Sequence, residues 1–138
     1  GWRYHMSDVM AAIGRAQLGR IDDLANARRA LVKNYDASLK GNKKIKTVLH
    51  PRSDEVPHIY PVLVGAESRD HVREQLLNAG VQTGIHYYPN HLLSKFRTDY
   101  ELPRAELWGE SELSLPLHPN LTPDQQNTVV RCLEIALG

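Results

Sequence analysis

The stretch His58-Ile59-Tyr60-Pro61-Val62-Leu63-Val64, the helix-like segment 68–78 behind it, and Val81-Gln82-Thr83-Gly84-Ile85-His86-Tyr87-Tyr88 decide the fold. The first run is apolar, rich in β-branched and aromatic residues, and too short for a buried helix, so it reads as a strand. Pro61 cannot donate to a ladder, which predicts an edge position or a bulge there. Ser68 is placed to cap a helix whose buried side is Val72, Leu76 and Leu77, and Gly80 suits the residue just past its end. The run 81–88 is expected to be a second strand, stopped by Pro89. Strand, helix and strand within about 30 residues make a βαβ-like unit. If the two strands are parallel neighbours, the crossover is right-handed.

Towards the N-terminus, Ser7 can cap and Asp8 suits the positive end of a helix dipole. Val9, Ile13, Ala16, Ile21, Leu24, Leu31, Tyr35 and Leu39 recur at helical spacing, which predicts one long helix over 7–40. Gly14 and Gly19 each cost about 1 kcal/mol inside a helix, so a bend or a closely packed surface is expected there. Residues 42–57 read as a loop holding a short strand at 46–50. Towards the C-terminus, 90–102 is irregular and Pro103 opens a short helix reaching Gly109. Glu112-Leu113-Ser114-Leu115 reads as a short strand stopped by Pro116. Thr122-Pro123-Asp124-Gln125 has the pattern of a capping box with proline at the first helical position. The helix behind it is expected to bury Val129, Val130, Leu133 and Leu137. The fold class is therefore α+β: a small sheet with packed helices and a long N-terminal helix. The chain reads as a single domain over 1–138, with its α/β part at 45–138.

Composition narrows function without naming it. The 138 residues are 41% hydrophobic, enough for a core of their own. Seventeen basic residues against sixteen acidic ones leave a net charge of +1, which argues against nucleic acid or an anionic membrane as partner. Cys132 is the only cysteine, so no intrachain disulfide is available and a cytoplasmic location is expected. No apolar run approaches the roughly 18 residues of a membrane span. The opening Gly1-Trp2-Arg3-Tyr4-His5 does not read as a signal or transit peptide.

Four segments together resemble a known family. They are Gly1-Trp2-Arg3-Tyr4-His5-Met6-Ser7 with the Ala11-to-Leu18 stretch containing Gln17; Arg28-Arg29 with Tyr35; Thr83-Gly84-Ile85-His86-Tyr87-Tyr88-Pro89; and Leu113-Ser114-Leu115-Pro116-Leu117-His118-Pro119 with Leu121-Thr122. In this order and spacing they resemble the DegT/DnrJ/EryC1/StrS sugar aminotransferases, which use pyridoxal phosphate. The resemblance runs over essentially the whole chain and implies the small C-terminal domain of a fold-type-I aminotransferase. It implies amino transfer to a keto-sugar, a nucleotide-sugar substrate and a homodimer in the complete protein.

The family's Schiff-base lysine lies upstream of this region in a Ser-x-x-x-Lys-like context. Lys33, Lys40, Lys43, Lys44, Lys46 and Lys95 have no such context. The 138 residues are thus expected to be a C-terminal fragment that is inactive alone, with no catalytic residue of their own and no cofactor bound. The alternative is a non-catalytic module that self-associates or binds a partner. Arg3 stands where the family has Asn, and His5 where it has Arg. The resemblance implies that Arg3 reaches the cofactor phosphate of the partner subunit, for which a guanidinium is suited; the alternative is a terminus without a fixed partner.

His86 and Tyr87 are expected on the substrate side of the cleft, where imidazole and phenol can hydrogen-bond a sugar hydroxyl or a phosphate. The alternative is that one of Tyr87 and Tyr88 is core and the other surface. The seven histidines show no metal-ligand spacing, and no metal site is expected. His118 is expected to make a structural hydrogen bond. Ser114 has no Gly-x-Ser-x-Gly around it, and Cys132 reads as a buried, inert thiol. Val9, Met10, Ile13 and Leu18 are expected to be exposed in the isolated chain and to favour self-association.

Overall fold

The computed structural model describes residues 4–48 and 55–138. Its elements are α1 (Asp8–Leu18), α2 (Ile21–Leu39), β1 (Lys46–Thr47), β2 (Tyr60–Leu63), α3 (Arg69–Asn78), α4 (Pro103–Ser111), β3 (Glu112–Leu115) and α5 (Pro123–Leu137), with 3-10 turns at Asn90–Leu92 and Ser94–Phe96. The strands form one antiparallel sheet in the order β1-β2-β3. This is the expected small sheet with packed helices.

The single helix expected over 7–40 is two. Ser7 caps α1 by accepting from the Met10 amide. At its end the Gly19 amide bonds the Arg15 carbonyl, but the Arg20 amide turns to Gln17, three residues back. Arg20, at φ −113° and ψ 6°, then starts α2 with Asp22 and Asp23 in the first turn. Around Gly14 an added Cβ would meet nothing within 4 Å. Neither glycine is pressed against another part of the described chain, so the break comes from the tightened turn.

The apolar core lies between one face of the sheet and α2, α3 and α5. Tyr60 and Val62 of β2 stand opposite Leu115 and Leu113 of β3, and all four are buried. Alternation puts them on the helix-covered face. Leu31, Val32, Tyr35 and Leu39 come from α2, Val72 and Leu76 from α3, and Val129, Val130 and Leu133 from α5. Leu77, expected inside, is exposed, because it follows Leu76 by only about 100° around the helix. The capping box at Thr122 and Gln125 is present in both directions. Gly80, at φ +79°, closes α3: its amide bonds the Leu77 carbonyl and the Val81 amide bonds that of Leu76. That Schellman geometry also brings the buried Val81 towards Leu76.

Pro61 lies in the middle strand, not at an edge. The Val64 amide donates to Ser111, so by alternation the donors at 60 and 62 also face β3 and position 61 faces β1. There the registered pairing stops at Thr47↔Val62. On the other side Ser114 gives its amide and carbonyl to Gly84, so the pair Pro61↔Ser114 needs no bond from proline.

Two buried tyrosines tie α2 to the sheet. The Tyr35 and Tyr60 rings stack with centroids 4.7 Å apart. Tyr35 donates to the Pro116 carbonyl at 2.9 Å and Tyr60 to Asp36 Oδ1 at 2.7 Å. Burial pushes both hydroxyls well above the usual phenol range, and the bond to Asp36 adds to this at Tyr60. Gln126 joins α5 to α2 by donating to the Leu31 carbonyl at 2.7 Å. Arg28 and Arg29 donate to the carbonyls of Pro57 and Glu55, holding the chain beside α2. Replacing Tyr35 by Phe keeps the ring stack and strips the Pro116 carbonyl of its donor. A loss of about 1–2 kcal/mol is expected, read as a lower urea midpoint at unchanged m-value; an unmoved midpoint would show that the bond contributes nothing.

Candidate functional site

The second face of β3 is polar and still buried. Glu112 and Ser114 alternate with Leu113 and Leu115, so they share the face turned away from the helical core. Glu112 has no solvent exposure and Ser114 only 4%. Gly84 pairs with Ser114 through two backbone bonds of 3.0 and 2.8 Å, which lays the chain carrying His86 along this edge.

The strand expected over 81–88 is reduced to that single bridge. The physical reason lies two residues on. The His86 amide, which a continuing ladder would give to β3 backbone, goes to the Glu112 side chain, Oε2, at 2.6 Å. The βαβ outline survives in altered form: Gly84 runs antiparallel to β3, and β3 lies between it and β2.

His86 is held from three sides. Its amide is taken by Glu112, its Nδ1 lies 2.9 Å from Ser114 Oγ, and its carbonyl accepts from Trp108 Nε1 at 3.3 Å. Ser114 Oγ in turn donates to Glu112 Oε1 at 2.5 Å. Two glycines admit this packing. A Cβ on Gly84 would sit 2.5 Å from His86 Cε1, and one on Gly109 would sit 2.6 Å from Cδ of the buried Pro89. The imidazole therefore rests on the Gly84 backbone, and Pro89 seats on α4. The His86–Tyr87 peptide is cis.

Tyr87 and Tyr88 are 67% and 60% exposed, so neither takes the core place that strand alternation would give it. Without a continuous strand the two-residue period has no hold there. The Tyr87 ring stands edge-on to His86, with centroids 4.9 Å apart. Beside His86 a cleft of about 270 Å³ is lined by His58, Thr83, Gly84, Ser114 and Leu117. The Thr83 hydroxyl is buried without a partner among the described residues. Polar residues thus line a small cleft, an arrangement suited to binding a hydroxylated ligand.

The other residues singled out in the sequence fall elsewhere. Arg3 lies outside the described residues. His91, five residues after His86, turns to α4 and pairs with Glu106 at 2.9 Å. Among the described residues no three His, Cys, Asp or Glu side chains come together as a metal site would need. The His118 side chain is exposed, and the hydrogen bond at this residue is made by its carbonyl, which accepts from Leu121. Glu112, Trp108 and Gly109 complete the His86 setting, and sequence reading misses their part. The available signal is a glutamate alternating with leucine in a strand that has to be buried.

Comparison with known proteins places this geometry in context. A model of the DegT/DnrJ/EryC1/StrS aminotransferase family matches residues 1–134. The chain is 34% identical over 134 residues to the dTDP-4-dehydro-2,3,6-trideoxy-D-glucose 4-aminotransferase of Saccharopolyspora spinosa, covering 94% of this chain and 34% of that protein. Its fold superposes on the aminotransferase TlmJ from Streptoalloteichus hindustanus with a TM-score of 0.93 and 31% identity, covering 99% of this chain and 38% of that one. Spr1654 from Streptococcus pneumoniae, known in PLP- and PMP-forms, matches with a TM-score of 0.87 and 27% identity, over 96% of this chain and 35% of that one. The chain therefore spans little more than a third of the relatives it matches.

The His91–Glu106 pair gives a pH dependence. The hydrogen bond from His91, then that from the Leu102 amide, holds the Glu106 carboxyl below the usual carboxylate range. A carboxyl pKa depressed by folding stabilises above the unfolded value and loses that contribution as pH falls through the folded one. Acidification through and below the ordinary carboxylate range is expected to lower the amide protection factors over residues 90–97, corrected for the intrinsic pH dependence of exchange, and Glu106→Gln to weaken that loss. An exchange profile identical in the two proteins would exclude the pair as its source.

Proposed function

The chain belongs to the DegT/DnrJ/EryC1/StrS aminotransferase family, and from that premise we propose that it is the C-terminal part of a pyridoxal-phosphate-dependent nucleotide-sugar aminotransferase. The whole protein would be a cytoplasmic homodimer that moves an amino group onto a keto-sugar. The observation that carries this reading is the family match over 1–134, together with coverage of only 34% of the dTDP-sugar relative. His86 and Tyr87 take the substrate side. Tyr87 offers an exposed phenol beside a fixed imidazole, and both suit sugar hydroxyls. Arg3 would meet the cofactor phosphate across the dimer. Among the described residues no helix is long and apolar enough to cross a membrane.

The family uses pyridoxal phosphate, and none of this chain's lysines suits the Schiff-base role. Holding the cofactor as a Schiff base needs a lysine with a depressed pKa in an enclosed site. All six lysines are exposed. Lys44 is engaged with the carbonyls of Leu137 and Gly138, and Lys95 lies over the Phe96 ring. No step of amino transfer is therefore assigned to these residues. Pyridoxal phosphate followed by borohydride should leave only weak, scattered labelling of surface lysines in the intact mass. One stoichiometric adduct on a single lysine would make the chain a compact cofactor enzyme and overturn the reading.

A second reading rests on α1, which buries none of its residues. Val9, Met10, Ile13 and Leu18 are each more than half exposed, and together they make an apolar strip. On this reading the isolated chain self-associates through α1. Sedimentation velocity should show concentration-dependent association that the double change Met10→Glu and Ile13→Glu abolishes. A monomer at all concentrations would remove self-association through α1.

A further inference from the structure

His86 is unusual in how completely its polar atoms are used. Its amide, carbonyl and Nδ1 each have a partner. Among the described residues Nε2 alone has none, and it is not sealed from solvent, since it is not among the buried atoms that lack partners. We infer that Glu112 and Ser114 are positioning residues that fix His86 in one tautomer, protonated at Nδ1, so that Nε2 presents a lone pair to the hydroxyl of a sugar-like ligand. The inference rests on the substrate-side reading of His86 and adds to it the polarity of the group offered.

A count of protons leads to this tautomer. With Glu112 ionised, both of its oxygens can only accept. Oε2 accepts from the His86 amide, which can only donate, and Oε1 accepts from the Ser114 hydroxyl at 2.5 Å. A serine has one hydrogen, and that hydrogen is now spent on Glu112. Ser114 Oγ can therefore meet His86 Nδ1, 2.9 Å away, only as an acceptor. The proton on the neutral imidazole lies at Nδ1, and Nε2 is bare. In this state Nε2 accepts a hydrogen bond from a hydroxyl and cannot donate one.

The surroundings keep this order. Glu112 is completely buried and Ser114 nearly so, which shields both groups from exchange of partners with solvent. The ring packs on Gly84, where a Cβ would meet it. The Trp108 indole donates to the His86 carbonyl and leaves the ring alone.

The test reads the tautomer directly, by long-range proton–nitrogen correlation on the ¹⁵N-labelled 138-residue chain at a pH where His86 is neutral. A His86→Gln variant identifies the signals. The expected result is a protonated Nδ1 and a bare Nε2. Glu112→Gln should invert it. The carbonyl of the introduced amide must face the His86 N–H, so its NH₂ faces Ser114, whose hydrogen then turns to Nδ1 and leaves the ring proton on Nε2. Ser114→Ala should leave a mixture of the two tautomers. A wild-type His86 protonated at Nε2 would overturn the inference. So would a folded Glu112→Gln chain that keeps the proton at Nδ1. If that variant does not fold, the wild-type spectrum and Ser114→Ala still decide. The spectrum is recorded without ligand, so a wrong substrate-side assignment leaves this result unmoved and fails in ligand binding instead.

Discussion

A carboxylate with no access to water must have its oxygens met by donors, because an unpaired buried charge costs several kcal/mol. Glu112 is such a group, and much of the second face of the sheet follows from satisfying it. One oxygen takes the His86 amide and the other the Ser114 hydroxyl. Taking that amide ends the ladder that Gly84 begins on β3. It also turns the chain so that Pro89 reaches α4 and Trp108 reaches the His86 carbonyl. One buried acid thereby ties the connecting segment to its strand, and α4 meets the same histidine through Trp108.

The opposite face is held by other means. There the stabilising term is area removed from water by α2, α3 and α5 over Tyr60, Val62, Leu113 and Leu115. Polar bonds add direction to it. Tyr35 and Tyr60 each spend a hydroxyl on a partner, and Gln126 fixes how α5 lies along α2. The division suits a binding element. The helix face supplies stability, and the polar face is free to hold a few side chains in one geometry next to a cleft.

Different parts of the chain are legible to different degrees. The capping box at Thr122, proline at the start of α4, the turn at Gly80 and the strand Glu112–Leu115 depend on neighbours in sequence, and local chemistry announces them. The split between α1 and α2 is half visible, since two glycines raise the possibility of a bend without saying which turn tightens. Pro61 is misplaced from sequence because its tolerance depends on where β1 stops and on which side of Ser114 the Gly84 segment pairs. The run 81–88 has strand composition, yet its ladder is interrupted by a side chain from 26 residues further on. Of the candidate site, His86 and Tyr87 come from a motif, whereas their support comes from residues the motif does not contain.

By itself the sequence determined the elements that local chemistry marks, such as α5 with its capping box and the strand Glu112–Leu115, and the family, because capping and motif order are written in adjacent residues. The tertiary structure alone decided that Glu112 and Ser114 lie under His86, that Tyr87 and Tyr88 both face outward, and that His91 serves Glu106. These are meetings between groups 15 to 28 positions apart. They depend on strand register and on the space left by two absent Cβ atoms, at Gly84 and Gly109, and neither is set until the chain has closed on itself.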